Sequence, residues 1–120
     1  MEGIHGSRRL LLVDDDDSVR RVLRVVCEAE GFEVVGEASN GADAVRLCSL
    51  HQPDVVILDQ RMPWLDGGDA AGILRTMAPG VKIVAFSAAL QRKPDWSDAY
   101  LEKERILEVV PVMQDLLATA

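Results

Sequence analysis

Short apolar runs alternate along this chain with segments whose apolar residues follow the period of a helix. The first run, Leu10–Val13, is entirely apolar, which is typical of a strand covered on both faces. From Asp17 onward the apolar residues recur every three or four positions, which predicts an amphipathic helix. The residues assigned to its core-facing stripe are Val19, Val22, Leu23 and Val26. Asp17 or Ser18 is expected to cap this helix, and Gly31 to end it.

The same alternation continues to the end of the chain. The further predicted strands are Phe32–Ala38, Val55–Leu58, Val81–Phe86 and Tyr100–Leu101. The further predicted helices are Ala42–Leu50, a segment near Asp69–Ala78, and a last helix within Leu107–Ala118 that has Pro111 in its first turn. Strands that alternate with helices at this spacing predict right-handed βαβ units. The expected fold is therefore α/β, with a parallel, doubly wound sheet and helices on both faces.

The segment between the fourth and fifth strands is too short for an ordinary helical crossover. Twelve residues separate Ser87 from Tyr100, and Pro94 lies among them. A parallel crossover needs about a dozen residues or more, and a proline interrupts a helix. We therefore expect the fourth helix to be shortened or missing.

Composition and charge limit the classes of protein to which the chain can belong. It has 120 residues, of which 20 are acidic and 13 are Lys or Arg, for a formal net charge of −7. This length predicts one domain, residues 9–118, after a flexible tail at residues 1–8. The acidity argues against direct binding to nucleic acid, which requires a surplus of basic residues, and favours cationic partners or metal ions. No apolar run approaches the ~20 residues that span a bilayer, so no membrane insertion is expected.

Two cysteines, Cys27 and Cys48, are too few for a disulfide framework, and no CxxC pair predicts a zinc site. They are expected on helices that cover opposite faces of the sheet, and therefore to stay unpaired. No signal-peptide pattern is present at the N-terminus, so a reduced, cytoplasmic location is the default expectation. His5, His51 and Trp96 receive no functional role.

Polar residues follow the apolar strands at the edge where ligands bind in a doubly wound sheet. They are Asp14 and Asp15 after the first strand, Asp59 after the third, Ser87 after the fourth and Lys103 after the fifth. Neighbouring carboxylates repel each other, and Mg²⁺ relieves that repulsion while keeping coordination positions for water and phosphate oxygens. A carboxylate is also a competent nucleophile for phosphoryl transfer, and Lys103 supplies a cation for the phosphoryl oxygens. The set therefore predicts phosphoryl chemistry with Mg²⁺.

These residues stand in motifs that resemble the receiver domain of two-component response regulators. The motifs are LLVDDDDSVRRVL, PDVVILDQRMPWLDGG, VKIVAFSAA and AYLEK, and the similarity extends from Arg9 to Ala118. The resemblance implies a five-stranded sheet in the order 2-1-3-4-5. It also implies a role for each site residue. Asp14, Asp15 and Asp59 hold Mg²⁺, with the backbone carbonyl of Arg61 as a further ligand, and Asp59 is the phosphoacceptor. Ser87 and Tyr100 change conformation when Asp59 is phosphorylated, and Lys103 pairs with the phosphoryl group.

The resemblance implies partners as well. In the family, a sensor histidine kinase or a histidine phosphotransfer protein donates the phosphoryl group, and the receiver then acts on an output partner or effector domain. The protein is then a signalling receiver rather than an enzyme, with at most self-catalysed phosphorylation and dephosphorylation. The cognate kinase, the output and the oligomeric state stay open, as does whether the receiver stands alone or belongs to a larger regulator.

Three features depart from the family pattern. Glu104 follows Lys103 where the family usually has a proline, which leaves the reach of the lysine open. The short segment Ala88–Ala99 is expected to alter the face built by the fourth helix, the fifth strand and the last helix, which commonly binds partners in the family. Trp64, after Met62-Pro63, occupies a place where a small residue is common and is expected to cover part of the rim of the site.

Two other functions remain open on the sequence alone. A receiver fold can serve as an interaction module without phosphorylation, which the short fourth-helix region and Glu104 favour. The run LLVDDDDS also fits a haloacid-dehalogenase-type phosphatase, with Asp14 as nucleophile and Asp16 as acid/base, although 120 residues leave no cap domain. Asp16 and Asp17 have a simpler interpretation as a solvated turn at the N-terminus of the first helix, where negative charge is favoured.

Overall fold

The computed structural model of the chain describes residues 8–61, 66–88 and 92–118. The strands are β1 (Arg9–Val13), β2 (Glu33–Ala38), β3 (Val55–Asp59), β4 (Lys82–Ser87) and β5 (Ala99–Glu102). The α-helices are α1 (Asp17–Ala29), α2 (Gly41–His51), α3 (Gly67–Met77) and α4 (Val109–Ala118), and a 3₁₀-helix, Lys103–Glu108, precedes α4. Each predicted element is present where the sequence pattern placed it, with bounds that differ by at most two residues.

All five strands are parallel and form one sheet in the order β2-β1-β3-β4-β5. This order and the α/β class confirm the expected fold. Leu12 of β1 pairs with Ile57 of β3, and Asp59 at the end of β3 pairs with Phe86 of β4. Because the strands are parallel, their carboxyl ends meet at one edge of the sheet, and the residues that follow them are brought together there.

The two faces of the sheet carry separate hydrophobic cores. Alternate residues of β1 point to opposite faces, so Leu12 packs with α1 and α4 whereas Leu11 packs with α2 and α3. Cys27 is buried in the first core and Cys48 in the second, and both thiols are free. The prediction of two unpaired cysteines on opposite faces is confirmed.

Helix α1 differs from its predicted form in two details. Its N-cap is Asp16 rather than Asp17 or Ser18, because the Asp16 carboxylate accepts hydrogen bonds from the backbone N–H groups of Ser18 and Val19 at 2.9 and 3.4 Å. Val22 was wrongly assigned to the core stripe, since its side chain is 43% exposed. The fully buried residues of the helix are Leu23 and Cys27. Gly31 ends the helix region with a φ of +91°, as expected.

The segment between β4 and β5 contains no helix in its described residues, 88 and 92–98, which confirms a shortened or missing fourth helix. Trp96 packs instead against the first turn of α3. A Cβ atom at Gly67 would lie 2.9 Å from the Trp96 ring and 3.0 Å from the Cα of Gln60, so this contact requires a glycine. Arg75 of α3 also donates to the Trp96 carbonyl at 2.8 Å and to the Asp98 carboxylate at 3.1 Å. The sequence did not indicate this packing role for Trp96.

Helix α4 begins at Val109 and contains Pro111 in its first turn, where the missing N–H of proline breaks no hydrogen bond; this prediction is confirmed. Over the part of the chain that is described, no helix has the length and apolar character needed to span a bilayer. Three predictions concern residues outside the described ranges: the tail at residues 1–8, apart from Arg8; the absence of a role for His5; and the position of Trp64.

Candidate functional site

Three carboxylates meet at the carboxyl edge of the sheet. Asp14 follows β1 and is fully buried, Asp59 ends β3 and is 3% exposed, and Asp15 is exposed beside them. One oxygen of each carboxylate lies within 4.8 Å of the others. The cluster arises because β1 and β3 are adjacent and parallel, so that both chains turn at the same edge. The structure therefore brings together the three carboxylates that were predicted, with the Arg61 carbonyl, to hold a metal.

Lys103 approaches this cluster from the end of β5, on the far side of β4. Its Nζ atom lies 2.8 Å from Asp14 Oδ2 and 3.3 Å from Asp59 Oδ2. The lysine reaches both carboxylates although Glu104 follows it, so the departure from the family pattern does not prevent this contact. Two buried carboxylates that share one ammonium group form a strongly polar, partly enclosed site.

Burial and charge shift the pKa values of this group. Burial raises the pKa of Asp59, and the nearby Asp14 carboxylate adds to the shift, while hydrogen bonds from the Arg61 N–H and from Lys103 oppose it. Burial by itself would lower the pKa of Lys103, but its contacts with Asp14 and Asp59 outweigh burial and raise it. Lys103 is therefore a permanent cation at neutral pH, and Asp59 is a carboxylate whose charge is energetically unfavourable in the metal-free protein.

The raised pKa of Asp59 predicts how metal-free stability depends on pH. A carboxyl group with a raised pKa binds its proton more tightly in the native state, so stability falls as pH rises from the unfolded-state pKa through the folded-state pKa. Asp59→Asn removes this effect. In chelator at about pH 7.5 the variant should be more stable than the wild type, and the difference should shrink towards about pH 4.5. Urea unfolding at both pH values measures the difference in the free energy of unfolding. An Asp59→Asn variant less stable than the wild type at the higher pH would contradict a raised pKa for Asp59.

The donor set fits a hard divalent cation. Asp14 Oδ2 is buried and accepts no hydrogen bond from any described residue, although Lys103 Nζ lies 2.8 Å away as an ion-pair partner. Carboxylate oxygens are the ligands that Mg²⁺ takes in proteins, one or two at a time, with water and phosphate oxygens completing the set. Asp14, Asp15 and Asp59 are the residues that would hold such an ion.

Three further predicted residues lie close to the cluster along the chain or in the sheet. Arg61 is exposed, and its backbone N–H donates to Asp59 Oδ1 at 3.1 Å. Ser87 is buried as the last residue of β4, next to the Phe86 that pairs with Asp59. Tyr100 is half-buried in the edge strand β5. The roles assigned to these residues, and to Asp59 and Lys103, stay predictions.

A cluster of charged side chains beside the site was not predicted from the sequence. The Arg20 guanidinium, only 12% exposed, donates from Nη1 to the Asp14 carbonyl oxygen and from Nε to Glu37 Oε1 at 3.0 Å. Arg24, one turn further along α1, donates to the other oxygen of Glu37 at 2.7 Å. The sequence contained one signal for this arrangement, an arginine shortly after four consecutive aspartates, but this signal does not distinguish Arg20 from Arg21.

The fold and the site together define a protein of the receiver class, a parallel α/β domain with an acidic pocket and a lysine at the carboxyl edge of the sheet. The sequence profile of the response regulator receiver domain matches residues 10–104. The chain belongs to the response regulator receiver family.

Several known proteins are similar to this chain. The transcriptional regulatory protein PdtaR of Mycobacterium tuberculosis is 40% identical over 113 residues, which cover 89% of this chain and 55% of PdtaR. The chemotaxis protein CheY of Thermotoga maritima is 38% identical over 85 residues, 71% of each chain. The crystal structure of a LuxR-family two-component response regulator from Aurantimonas is 27% identical, covers 92% of this chain and 85% of that one, and has a TM-score of 0.82. The chain thus spans about half the length of PdtaR.

Proposed function

We propose that this protein is a phosphoacceptor receiver that takes a phosphoryl group onto Asp59 with the help of Mg²⁺. The observation that carries the proposal is the cluster of Asp14, Asp15 and Asp59 with Lys103 in contact with two of them. The phosphoryl donor in this proposal is a phosphohistidine on a sensor histidine kinase or a histidine phosphotransfer protein. The proposal includes neither enzymatic activity on small molecules nor direct binding to nucleic acid.

The chemistry requires little beyond positioning and charge neutralisation. A carboxylate oxygen of Asp59 forms a bond to phosphorus as the bond between phosphorus and the donor imidazole nitrogen breaks, and the imidazole leaves with the bonding electron pair. Lys103 stays protonated and offers its charge to the phosphoryl oxygens. When bound at Asp14, Asp15 and Asp59, Mg²⁺ supplies charge neutralisation for the acidic side chains and the incoming group.

The output of the proposed receiver is a change on its partner-binding face. We assign the switch to Ser87 and Tyr100, which lie in the adjacent strands β4 and β5. The phosphoryl group on Asp59 would accept a hydrogen bond from the Ser87 hydroxyl, and Tyr100 would change its orientation in response. Residues 9–118 constitute the receiver domain in this proposal, and the two free, buried thiols support a reducing, cytoplasmic location.

A second candidate is an interaction module that keeps the receiver fold and works without phosphorylation. The absence of a helix in described residues 88 and 92–98 favours it, because the face that commonly carries signalling output in the family is then altered. A haloacid-dehalogenase-type phosphatase is less well supported. Its acid/base would be Asp16, but the Asp16 carboxylate is already engaged in hydrogen bonds as the N-cap of α1.

Beryllium fluoride with Mg²⁺ tests the proposed function without a kinase, because it mimics a phosphoryl group on an aspartate. The expected result is a new protein-bound fluorine signal in ¹⁹F NMR that requires Mg²⁺. The signal should be absent from Asp59→Asn and present in Asp54→Asn, which makes the same change next to the opposite end of β3. A bound signal that persists in Asp59→Asn, or no signal in the wild type, would contradict the proposal.

A further inference from the structure

Arg20 lies beneath the acidic cluster rather than in it. Its guanidinium is largely buried and bonds three partners: the Asp14 carbonyl oxygen, the Asp17 carboxylate and Glu37 Oε1. A planar guanidinium can fix several acceptors in one geometry because its donors form a rigid fork. The side chain therefore connects helix α1 and strand β2 to the backbone of a predicted metal ligand.

The polar groups of Asp14 show what this contact achieves. Its backbone N–H donates to the Ala38 carbonyl at 3.0 Å, and its Oδ1 accepts from the Asp16 N–H at 2.9 Å. Its carbonyl accepts from Arg20. The one polar atom that accepts no hydrogen bond from the described residues is Oδ2, which lies 2.8 Å from Lys103. Three groups of Asp14 are held by hydrogen bonds, and the fourth, Oδ2, faces the site in an ion pair with Lys103.

We propose that Arg20 is a positioning residue that orients Asp14 for the divalent cation. The inference rests on the proposed function, because it assumes a cation at Asp14, Asp15 and Asp59. Arg20 does not touch the cation or the phosphoryl group. It acts through the backbone of Asp14, in the way that residues behind metal ligands fix the orientation of those ligands.

Charge and geometry predict opposite effects of removing Arg20, which makes the proposal testable. The guanidinium is a positive charge next to a cation site, so its removal should strengthen Mg²⁺ binding if it acts only through space. If it positions Asp14, its removal should weaken binding, and loss of a residue behind a metal ligand typically costs about tenfold or more in metal affinity.

Arg24 provides the matched control. It lies one turn along the same helix and bonds the same Glu37 carboxylate, but its side chain donates to Glu37 and Glu28 and not to Asp14. Arg24→Met removes the same charge and one bond to Glu37, and so reproduces the loss of a helix-to-strand ion pair. It leaves the Asp14 carbonyl contact intact.

The experiment is a Mg²⁺ titration of wild type, Arg20→Met, Arg20→Lys and Arg24→Met, followed by backbone amide NMR shifts near residues 14 and 59. We expect about tenfold weaker binding for Arg20→Met, an intermediate value for Arg20→Lys, and no weakening for Arg24→Met. The amide spectra and thermal unfolding of the metal-free variants report whether each is folded, and Arg20→Lys keeps the comparison valid if Arg20→Met is not.

The possible outcomes distinguish a failure of the positioning role of Arg20 from a failure of the proposed function. A wild type that binds Mg²⁺ together with an Arg20→Met variant of equal or higher affinity overturns the positioning role and leaves the proposed function standing. Equal weakening in Arg24→Met and Arg20→Met would show that the loss comes from the helix-to-strand ion pair with Glu37 and not from the Asp14 contact, and overturns it too. A wild type that shows no shifts at the acidic cluster overturns the proposed function, and this inference with it.

Discussion

Lys103→Met should destabilise the metal-free protein by about 3 kcal/mol and slow its phosphorylation by about 100-fold. Both effects have one origin. Lys103 is the cation in contact with the buried Asp14 and Asp59 carboxylates, and removing one partner of a buried ionic group leaves the others uncompensated. In the reaction, the same substitution removes a positive charge that lies where the phosphoryl oxygens arrive.

The stability loss of Lys103→Met should have a characteristic dependence on pH and metal. It should shrink as the pH falls, because protonated carboxyl groups no longer need the ammonium partner. Saturating Mg²⁺ should recover part of the stability, since a bound cation stabilises the native state by mass action. The rate of phosphorylation should not recover, because an ion held by the three carboxylates would not replace the lysine as a cation for the phosphoryl oxygens.

Lys82→Met is the control for this prediction, because it removes the same charge from the start of β4, at the opposite edge of the sheet. It should leave the phosphorylation rate unchanged. Urea unfolding in chelator and in Mg²⁺, with the rate of phosphorylation from a small phosphodonor, gives the required numbers. Equal phosphorylation rates for Lys103→Met and the wild type would show that Lys103 does not take part in the proposed reaction.

Phe86→Ala should cost about 3–5 kcal/mol of stability, a large part of the roughly 5–15 kcal/mol available to a typical domain. Phe86 is fully buried in the core between the sheet, α1 and α4. Its removal leaves a cavity that the surrounding strands cannot fill. Because Phe86 pairs with Asp59 in the sheet, the variant should also hold the Asp59 side chain less firmly in place.

Val22→Ala is the matched control for the core prediction. Val22 is apolar but 43% exposed, and surface substitutions of this kind usually change stability by less than about 0.5 kcal/mol. Urea unfolding measures the free energy of unfolding of both variants, and an unchanged m-value shows that the difference is one of stability. A loss below about 1 kcal/mol for Phe86→Ala would show that the site repacks around the missing ring.

The strands could be predicted because the information is local, whereas their order followed from the resemblance to receiver domains. Leu10–Val13 and Val55–Leu58 are unbroken apolar runs, and only a strand covered on both faces accounts for them in so short a chain. The polar residues that follow them, Asp14 and Asp59, are then placed at the same edge by the parallel direction of the strands. The carboxylate cluster therefore follows from the order of residues in two short segments.

The errors in helix α1 have a different cause. The spacing of Val19, Val22, Leu23 and Val26 identifies a helix face but not its width, and the sheet and α4 cover only part of it. Val22 lies outside that part, whereas Cys27 lies inside. The N-cap is Asp16 and not a later residue because any of the consecutive residues Asp16, Asp17 and Ser18 can accept hydrogen bonds from the first N–H groups of the helix. Which of them does so depends on where the chain leaves β1.

The role of Arg20 could not be predicted from the pattern. Arg20, Arg21 and Arg24 all fall outside the apolar stripe, and nothing in their spacing distinguishes a buried guanidinium from two others on the same helix. Its burial depends on Glu37 in β2 and on the turn after β1, which are brought together only when the sheet forms. Trp96 is similar, since its contact with Gly67 depends on a loop taking the place of a helix.

Phosphorylation of Asp59 can be measured by intact-mass spectrometry after incubation of the protein with Mg²⁺ and a small phosphodonor. We expect one added phosphoryl group per chain, labile to alkali as an acyl phosphate is, lost in chelator and absent from Asp59→Asn. Asp54→Asn should be labelled like the wild type. An unmodified wild-type mass under these conditions, or an adduct that survives in Asp59→Asn, would show that Asp59 is not the phosphoacceptor.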